Sequence, residues 1–179
     1  PTEEPELRDK LAAYIDVFDN CLEWPIAPLA RDPAFQARIT AERFAWVQTV
    51  DRERIARRLS DLRPPELPPL NVLVQVNVSG EASKSGAAPP DAPALARAVA
   101  ALPRLRLRGL MAIPEPTADI ALQRQRFALL RMLQQGLQAE DAGVDTLSMG
   151  MSDDLEAAIA EGATMVRVGT AIFGKRQAV

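Results

Sequence analysis

Apolar positions in this chain recur at two periods, and the switches between them lay out its elements. Between Pro5 and Asn20, Leu7, Leu11, Ile15 and Phe18, continued by Leu22, recur at spacings of three and four, with Arg8, Asp9 and Lys10 near the start. That spacing predicts an amphipathic helix. Glu23 to Leu29, EWPIAPL, has the apolar content of a strand, but Pro25 and Pro28 each remove a ladder donor, which confines it to an edge strand or a loop. A weaker helix over 31–43 follows, and Phe44 to Val50 is an aromatic and β-branched strand. Asp51 is placed to cap the next helix, which points Ile55, Leu59 and Leu62 inward and Arg52, Arg54, Arg57 and Arg58 outward.

The proline-rich run 64–69 makes a stiff connector, after which Val72 to Val78 alternates valines with Gln75 and Asn77. Those two polar residues share one face of a strand, the lumenal face if the sheet closes. Asp91 to Leu102 predicts a helix and Leu105 to Ile113 a strand stopped by Pro114. Asp119 to Glu140 predicts a long helix with Phe127, Leu130, Leu133 and Leu137 on its buried side. The last stretch, Thr146 to Gly174, holds two strand-to-loop transitions in close succession. The first strand ends at Ser148-Met149-Gly150, with Ser152 placed as N-cap and Leu155, Ala158 and Ile159 as the apolar stripe of a helix closed by Gly162. The second, Met165 to Val168, ends at Gly169-Thr170.

Strand alternating with helix implies right-handed crossovers, a parallel sheet and helices outside it, hence an α/β fold. Five clear strands and one doubtful one are too few for the eight-stranded barrel, which takes about 250 residues. The expected architecture is a partial TIM-type (β/α) barrel, lacking its first one or two βα units, as one domain over 1–179. With 47% hydrophobic and 25% charged residues, 179 residues supply one substantial core.

Charge and composition then exclude whole classes. A net charge of −3 and few aromatics leave no footprint for nucleic acid. One cysteine and no histidine rule out a disulfide framework, a His-based metal site and any triad that needs imidazole. No apolar run reaches 18 residues and no signal-peptide pattern opens the chain, from which a soluble, cytoplasmic protein is expected. The first residue is Pro1, which points to processing or a fragment.

Candidate chemistry sits where the last two strands end. Small residues at the carboxyl ends of consecutive parallel strands let backbone N–H groups face one anion without obstruction, and barrels commonly hold a phosphate on their last two βα loops. The plainer alternative is that Gly150 and Gly169 only make tight turns. The loop Ser79–Gly86 superficially resembles a P-loop, but no glycine precedes Lys84 and the spacing from Gly80 is wrong, so nucleoside triphosphate binding is rejected.

Three long motifs carry a family resemblance: VLVQVNVSGEASKSG at 72–86, LRGLMAIPEPT at 107–117 and LSMGMSDDLEAAIAEGATMVRVGTAIFG at 147–174. Together they resemble the pyridoxal phosphate homeostasis proteins, whose fold is similar to the N-terminal barrel domain of alanine racemase. The likeness spans 44–174, with 1–43 divergent. It implies pyridoxal 5′-phosphate (PLP) as cofactor and a role in vitamin B6 and amino-acid homeostasis without catalytic turnover. It also implies that Ser148 with Gly150, and Gly169 with Thr170, hold the phosphate, that Arg167 faces the pyridine nitrogen, and that Met111 and Asn77 lie near the ring or its pocket. An arginine beside that nitrogen disfavours protonating the ring and weakens it as an electron sink. Away from the family, Arg167 reads as a strand residue paired with Glu161 or Asp145.

The chain also departs from the family. The segment resembling V-S-K, whose lysine forms the Schiff base, is missing, and the lysines present are Lys10, Lys84 and Lys175, none a convincing replacement. The motif resembling E-W-H-F-I-G-x-L-Q survives only as EWPIAPLA. Two expectations follow: a weak, phosphate-anchored site without covalent attachment, and exposed strand edges that invite a homodimer or a covering N-terminal helix. A PLP-dependent racemase is the competing activity, and it would need a second acid/base group for which Tyr14 is the sole tyrosine. A non-binding remnant of the family is the third possibility.

Overall fold

The computed structural model describes residues 33–81, 85–141, 143–169, 172 and 174. The helix expected over 5–20, the edge strand or loop at 23–29 and Thr170 lie outside them, as do all three lysines. Within them the chain runs α1 Pro33–Arg43, β1 Trp46–Val50, α2 Glu53–Leu62, β2 Leu70–Gln75, α3 Ala92–Ala100, β3 Leu105–Met111, α4 Ile120–Glu140, β4 Thr146–Ser148 and α5 Leu155–Ala160. The four strands make one parallel sheet in the order β1-β2-β3-β4.

Each strand lies beside its predecessor, and right-handed crossovers between such neighbours drop every helix on the same face. The core shows this arrangement. Val72, Val74 and Val76 of one face of β2 and its continuation pack with Leu105, Leu107, Leu110 and Leu147, against Ala56, Leu59, Ala96, Val99, Phe127 and Leu130 from the helices. Leu73 and Met111 are buried as well but stand outside that cluster, on the opposite face of the sheet. A sheet wound in one direction with helices on one side is a sector of a (β/α) barrel, and its free face is the barrel's lumen.

The long helix expected from Asp119 forms as α4, capped by Asp119, which accepts from the amides of Ala121 and Leu122 at 2.9 and 3.2 Å, and Phe127, Leu130 and Leu137 are buried. Other expectations need correction. The N-cap of α2 is Arg52, because the Asp51 carboxylate pairs with the Arg52 guanidinium at 2.8 Å. The N-cap of α5 is Asp154, not Ser152: the Asp154 carboxylate takes the Met151 amide at 2.6 Å and holds 152–154 in a turn. In α5 the buried positions are Ala157 and Ala158, and Ile159 is 57% exposed. The strand expected at 165–168 is a single bridge, Met165 to Ser148. Gly150, at φ +94°, takes the chain out of extended geometry after β4, so the Arg167 amide finds only the Gly150 carbonyl, at 2.9 Å.

Candidate functional site

Because the strands are parallel, the loops after β2, β3 and β4 leave the same rim of the sheet, where barrel proteins build their sites. One row of register crosses the sheet there, Gln75 beside Met111 and Met111 beside Ser148. Its side chains face away from the helices. Met111 is 1% exposed and, with Leu73, forms an apolar floor, while Ser148 is fully buried.

Arg167 lies over this row. Its guanidinium donates to Ser148 Oγ from Nη1 and to the Ala112 carbonyl from Nη2, the latter at 2.8 Å. The Ser148 hydroxyl in turn donates to Gln48 Oε1 at 2.7 Å, and Gln48 Nε2 donates to Met165 Sδ at 3.1 Å. Burial pushes the Arg167 pKa below the usual arginine range, and the negative charge of Asp154 pulls it the other way. A guanidinium stays charged through such a shift. The acids proposed as its ordinary partners are engaged elsewhere: Glu161 accepts from Arg124 and Arg131, each at 2.8 Å, and Asp145 pairs with Arg108 at 2.6 Å. Among the described residues no carboxylate forms an ion pair with Arg167.

The two glycines differ. Gly150 is buried, and a Cβ there would stand 2.6 Å from the Ala158 Cβ, so close packing of α5 on the loop by itself demands glycine. Gly169 is exposed and has nothing within 4 Å of an added Cβ. Neither amide N–H donates to an acceptor among the described residues. Asn77 sits on the next loop, where its side chain donates to the Glu81 carbonyl at 2.6 Å and accepts from the Gly80 amide at 3.1 Å. It thereby shapes the loop after β2.

The structure thus brings together Ser148, Gly150, Arg167 and Met111, and places Asn77 on an adjoining loop. Thr170 falls outside the described residues. Sequence reasoning missed Gln48, a polar residue in a strand with nothing local to mark it. It also missed the hold of Gln75 on the β2 loop, through a bond from Nε2 to the Ser85 carbonyl at 3.0 Å. An open cleft of about 810 Å³ lies beside the site, between the loops after β3 and β4, lined by Pro114, Thr117, Ile120, Ser152, Asp153 and Leu155. Neither Ser148 nor Arg167 lines it, so bonding geometry rather than cavity size locates the candidate site.

The family described as "Alanine racemase, N-terminal domain" matches residues 22–177. This chain belongs to that family. Among its relatives are the pyridoxal phosphate homeostasis proteins of Pseudomonas aeruginosa, 59% identical over 97% of this chain and 73% of that protein, and of Escherichia coli, 52% identical over 94% and 71%. Solved structures of the family include PipY from Synechococcus elongatus. The form with PLP bound gives a TM-score of 0.69 at 31% identity, covering 80% of this chain and 68% of that one. The form without PLP gives 0.70 at 34%, covering 78% and 66%. A structure from Bifidobacterium adolescentis described as an unknown protein gives 0.75 at 35%, and this chain spans 58% of its length. Among the described residues no helix of this family member is long and apolar enough to cross a membrane, and no group of acids and cysteine could hold a metal ion.

Proposed function

We propose that this protein binds pyridoxal 5′-phosphate without covalent attachment and without turnover, as a cytoplasmic participant in vitamin B6 and amino-acid homeostasis. The observation that carries this reading is the half-buried Arg167, held by neutral oxygens beside two glycine turns whose amides meet no acceptor among the described residues. PLP, when bound, supplies an aldehyde for amine capture and a pyridine ring that accepts electron density. In this assignment the amides of Gly150 and Gly169, with Thr170, face the phosphate, and Ser148 anchors the rim between them. Arg167 lies beside the ring nitrogen and keeps a proton off it. Met111 supplies an apolar wall to the ring, and Asn77 fixes the loop at its edge. The residues present fit a dianion with an apolar body, although Asp153 and Asp154 in the same loop oppose the charge and hold affinity down.

The racemase alternative would need a Schiff-base lysine and a second acid/base group; the chain's lysines are Lys10, Lys84 and Lys175, its one tyrosine is Tyr14, and all four lie outside the described residues. Among the described residues β1 is an edge strand of the sheet, and in the same reading two copies pair through it. The test is titration of the purified protein with PLP, followed by desalting and an absorbance scan. Saturable binding that is lost on desalting, and abolished in Arg167→Leu, is the expected result. Cofactor that survives desalting, or racemisation of an added amino acid, would overturn the proposal. Absence of any binding would leave a non-binding family remnant.

A further inference from the structure

Gln48 belongs to β1 and Ser148 to β4, at opposite edges of the described sheet, yet their side chains bond across the lumenal face at 2.7 Å. We infer that Gln48 is a positioning residue that sets the direction of the Ser148 hydroxyl and, through it, the aim of the Arg167 guanidinium. The inference rests on the cofactor reading above only for what the guanidinium is aimed at.

The chemistry of the three groups allows one arrangement. A guanidinium donates and never accepts, so the Arg167 bond must use a lone pair of Ser148 Oγ. The serine proton must then go to another acceptor, and Gln48 Oε1 is the one in reach. Turning the Gln48 amide over would present its NH₂ to an oxygen already taking a proton from Arg167 and would leave the serine proton without an acceptor. It would also set Oε1 against Met165 Sδ, which has no proton to give. The amide orientation is therefore fixed from both ends, and the chain Gln48, Ser148, Arg167 is polarised in one sense. Ser148 is fully buried, so no water replaces a lost partner cheaply. The Ser148 proton is spent within the protein, and a ligand oxygen at this position receives its hydrogen bonds from Arg167 and from backbone amides.

The experiment uses Gln48→Met, Gln48→Glu, Ser148→Ala and the double variant Gln48→Met with Ser148→Ala, each checked for folding by thermal melting. Two readouts are taken. Without ligand, nitrogen NMR of arginine-labelled protein follows the Arg167 guanidinium, whose Nη resonances are resolved when its rotation is held. They collapse in Gln48→Met and Ser148→Ala and persist in Gln48→Glu, which keeps the acceptor. With PLP as the probe, Gln48→Met weakens binding about tenfold, the size of one buried hydrogen bond. Gln48→Glu restores binding to within about twofold, and the double variant is no weaker than Ser148→Ala. Intact Nη resonances in Gln48→Met, or losses that add in the double variant, would overturn the inference. Should wild type fail to bind PLP, the cofactor reading falls while the NMR arm still decides the role of Gln48. Should Gln48→Met fail to fold, Gln48→Glu and Ser148→Ala decide it.

Discussion

Gly109 to Ala is the substitution whose cost the structure defines most sharply. Gly109 lies in β3 at φ +153°, just after Arg108, the extra residue where the pairing with β2 shifts register. With that backbone an added Cβ points along the sheet toward β4, only 1.8 Å from the Thr146 carbonyl oxygen, where ordinary contact begins at 3.4 Å. Retreat toward α4 is blocked as well, since Gln134 Oε1 stands 2.9 Å from the same point and accepts the Leu110 amide at 3.1 Å. The strands must separate by more than an ångström, straining the pairing of Gly109, Leu110 and Met111 with Thr146, Leu147 and Ser148. Overpacking of about 1–3 kcal/mol together with about 1 kcal/mol for each weakened bond gives a loss near 3 kcal/mol, a large share of a domain stability of about 5–15 kcal/mol. Gly136 is the internal control. It lies in α4 with open space around its α carbon, so Gly136→Ala stabilises by about 0.5–1 kcal/mol. Urea unfolding followed by far-ultraviolet circular dichroism measures both. A Gly109→Ala protein within about 0.5 kcal/mol of wild type would refute the reasoning, because a strand pair that opens that easily could not fix Ser148.

Two further outcomes are expected. Arg63 is 5% exposed and donates to the carbonyls of Ala41, Phe44 and Pro68 at 2.7, 2.8 and 2.9 Å, tying the end of α1 to the proline connector. Arg63→Met lowers stability in urea by about 3 kcal/mol, and Arg63→Lys recovers only part of it, because a point cation cannot span three acceptors. A lysine variant equal to wild type would contradict the fork geometry. The Arg108 hydrogen bond holds the Asp145 carboxyl below the usual carboxylate range. With the native pKa lowered, this contribution is present above the unfolded value and lost as pH falls through the native one. Asp145→Asn therefore flattens the drop in urea midpoint below about pH 4, and an acid limb unchanged from wild type would count against the pair.

What could be read from the chain was whatever depends on near neighbours. Phe127, Leu130 and Leu137 at helical spacing behind Asp119 specified α4 and its buried face, and the valines of β2 specified the side that meets the helices. Caps were less legible where a second partner competed for the same carboxylate. Asp51 found the charged Arg52 side chain, and Asp154 found the Met151 amide, which moved the start of α5 two residues past Ser152. The role of Gln48 had no local signal at all. It exists because the sheet curls enough to bring residues 100 positions apart into bonding distance, and that curl is a property of the whole strand order.

The ion pairs of this molecule explain why Arg167 stands apart. Arg97 reaches Glu140 from α3, Arg108 reaches Asp145, and Arg124 and Arg131 of α4 reach Glu161 beyond α5. Each of these links one βα unit to the next, and each guanidinium keeps part of its surface in water. Arg167 is placed on the lumenal side with neutral hydrogen-bond partners, so its charge is compensated by dipoles and by the Asp154 charge, without an ion pair among the described residues. A cation in that condition raises the free energy of the empty fold and lowers that of a complex with an anion by the same Coulombic argument, more strongly than a solvated arginine could. Binding of a dianionic ester therefore stabilises the protein against unfolding by an amount that grows with ligand concentration. Neutralising Arg167 has the opposite effects on the two states: Arg167→Leu raises the melting temperature of the free protein and removes its response to PLP. Loss of stability in the free variant instead would mean that the bonds to Ser148 and Ala112 outweigh the buried charge, and that the arginine is there to hold the rim together.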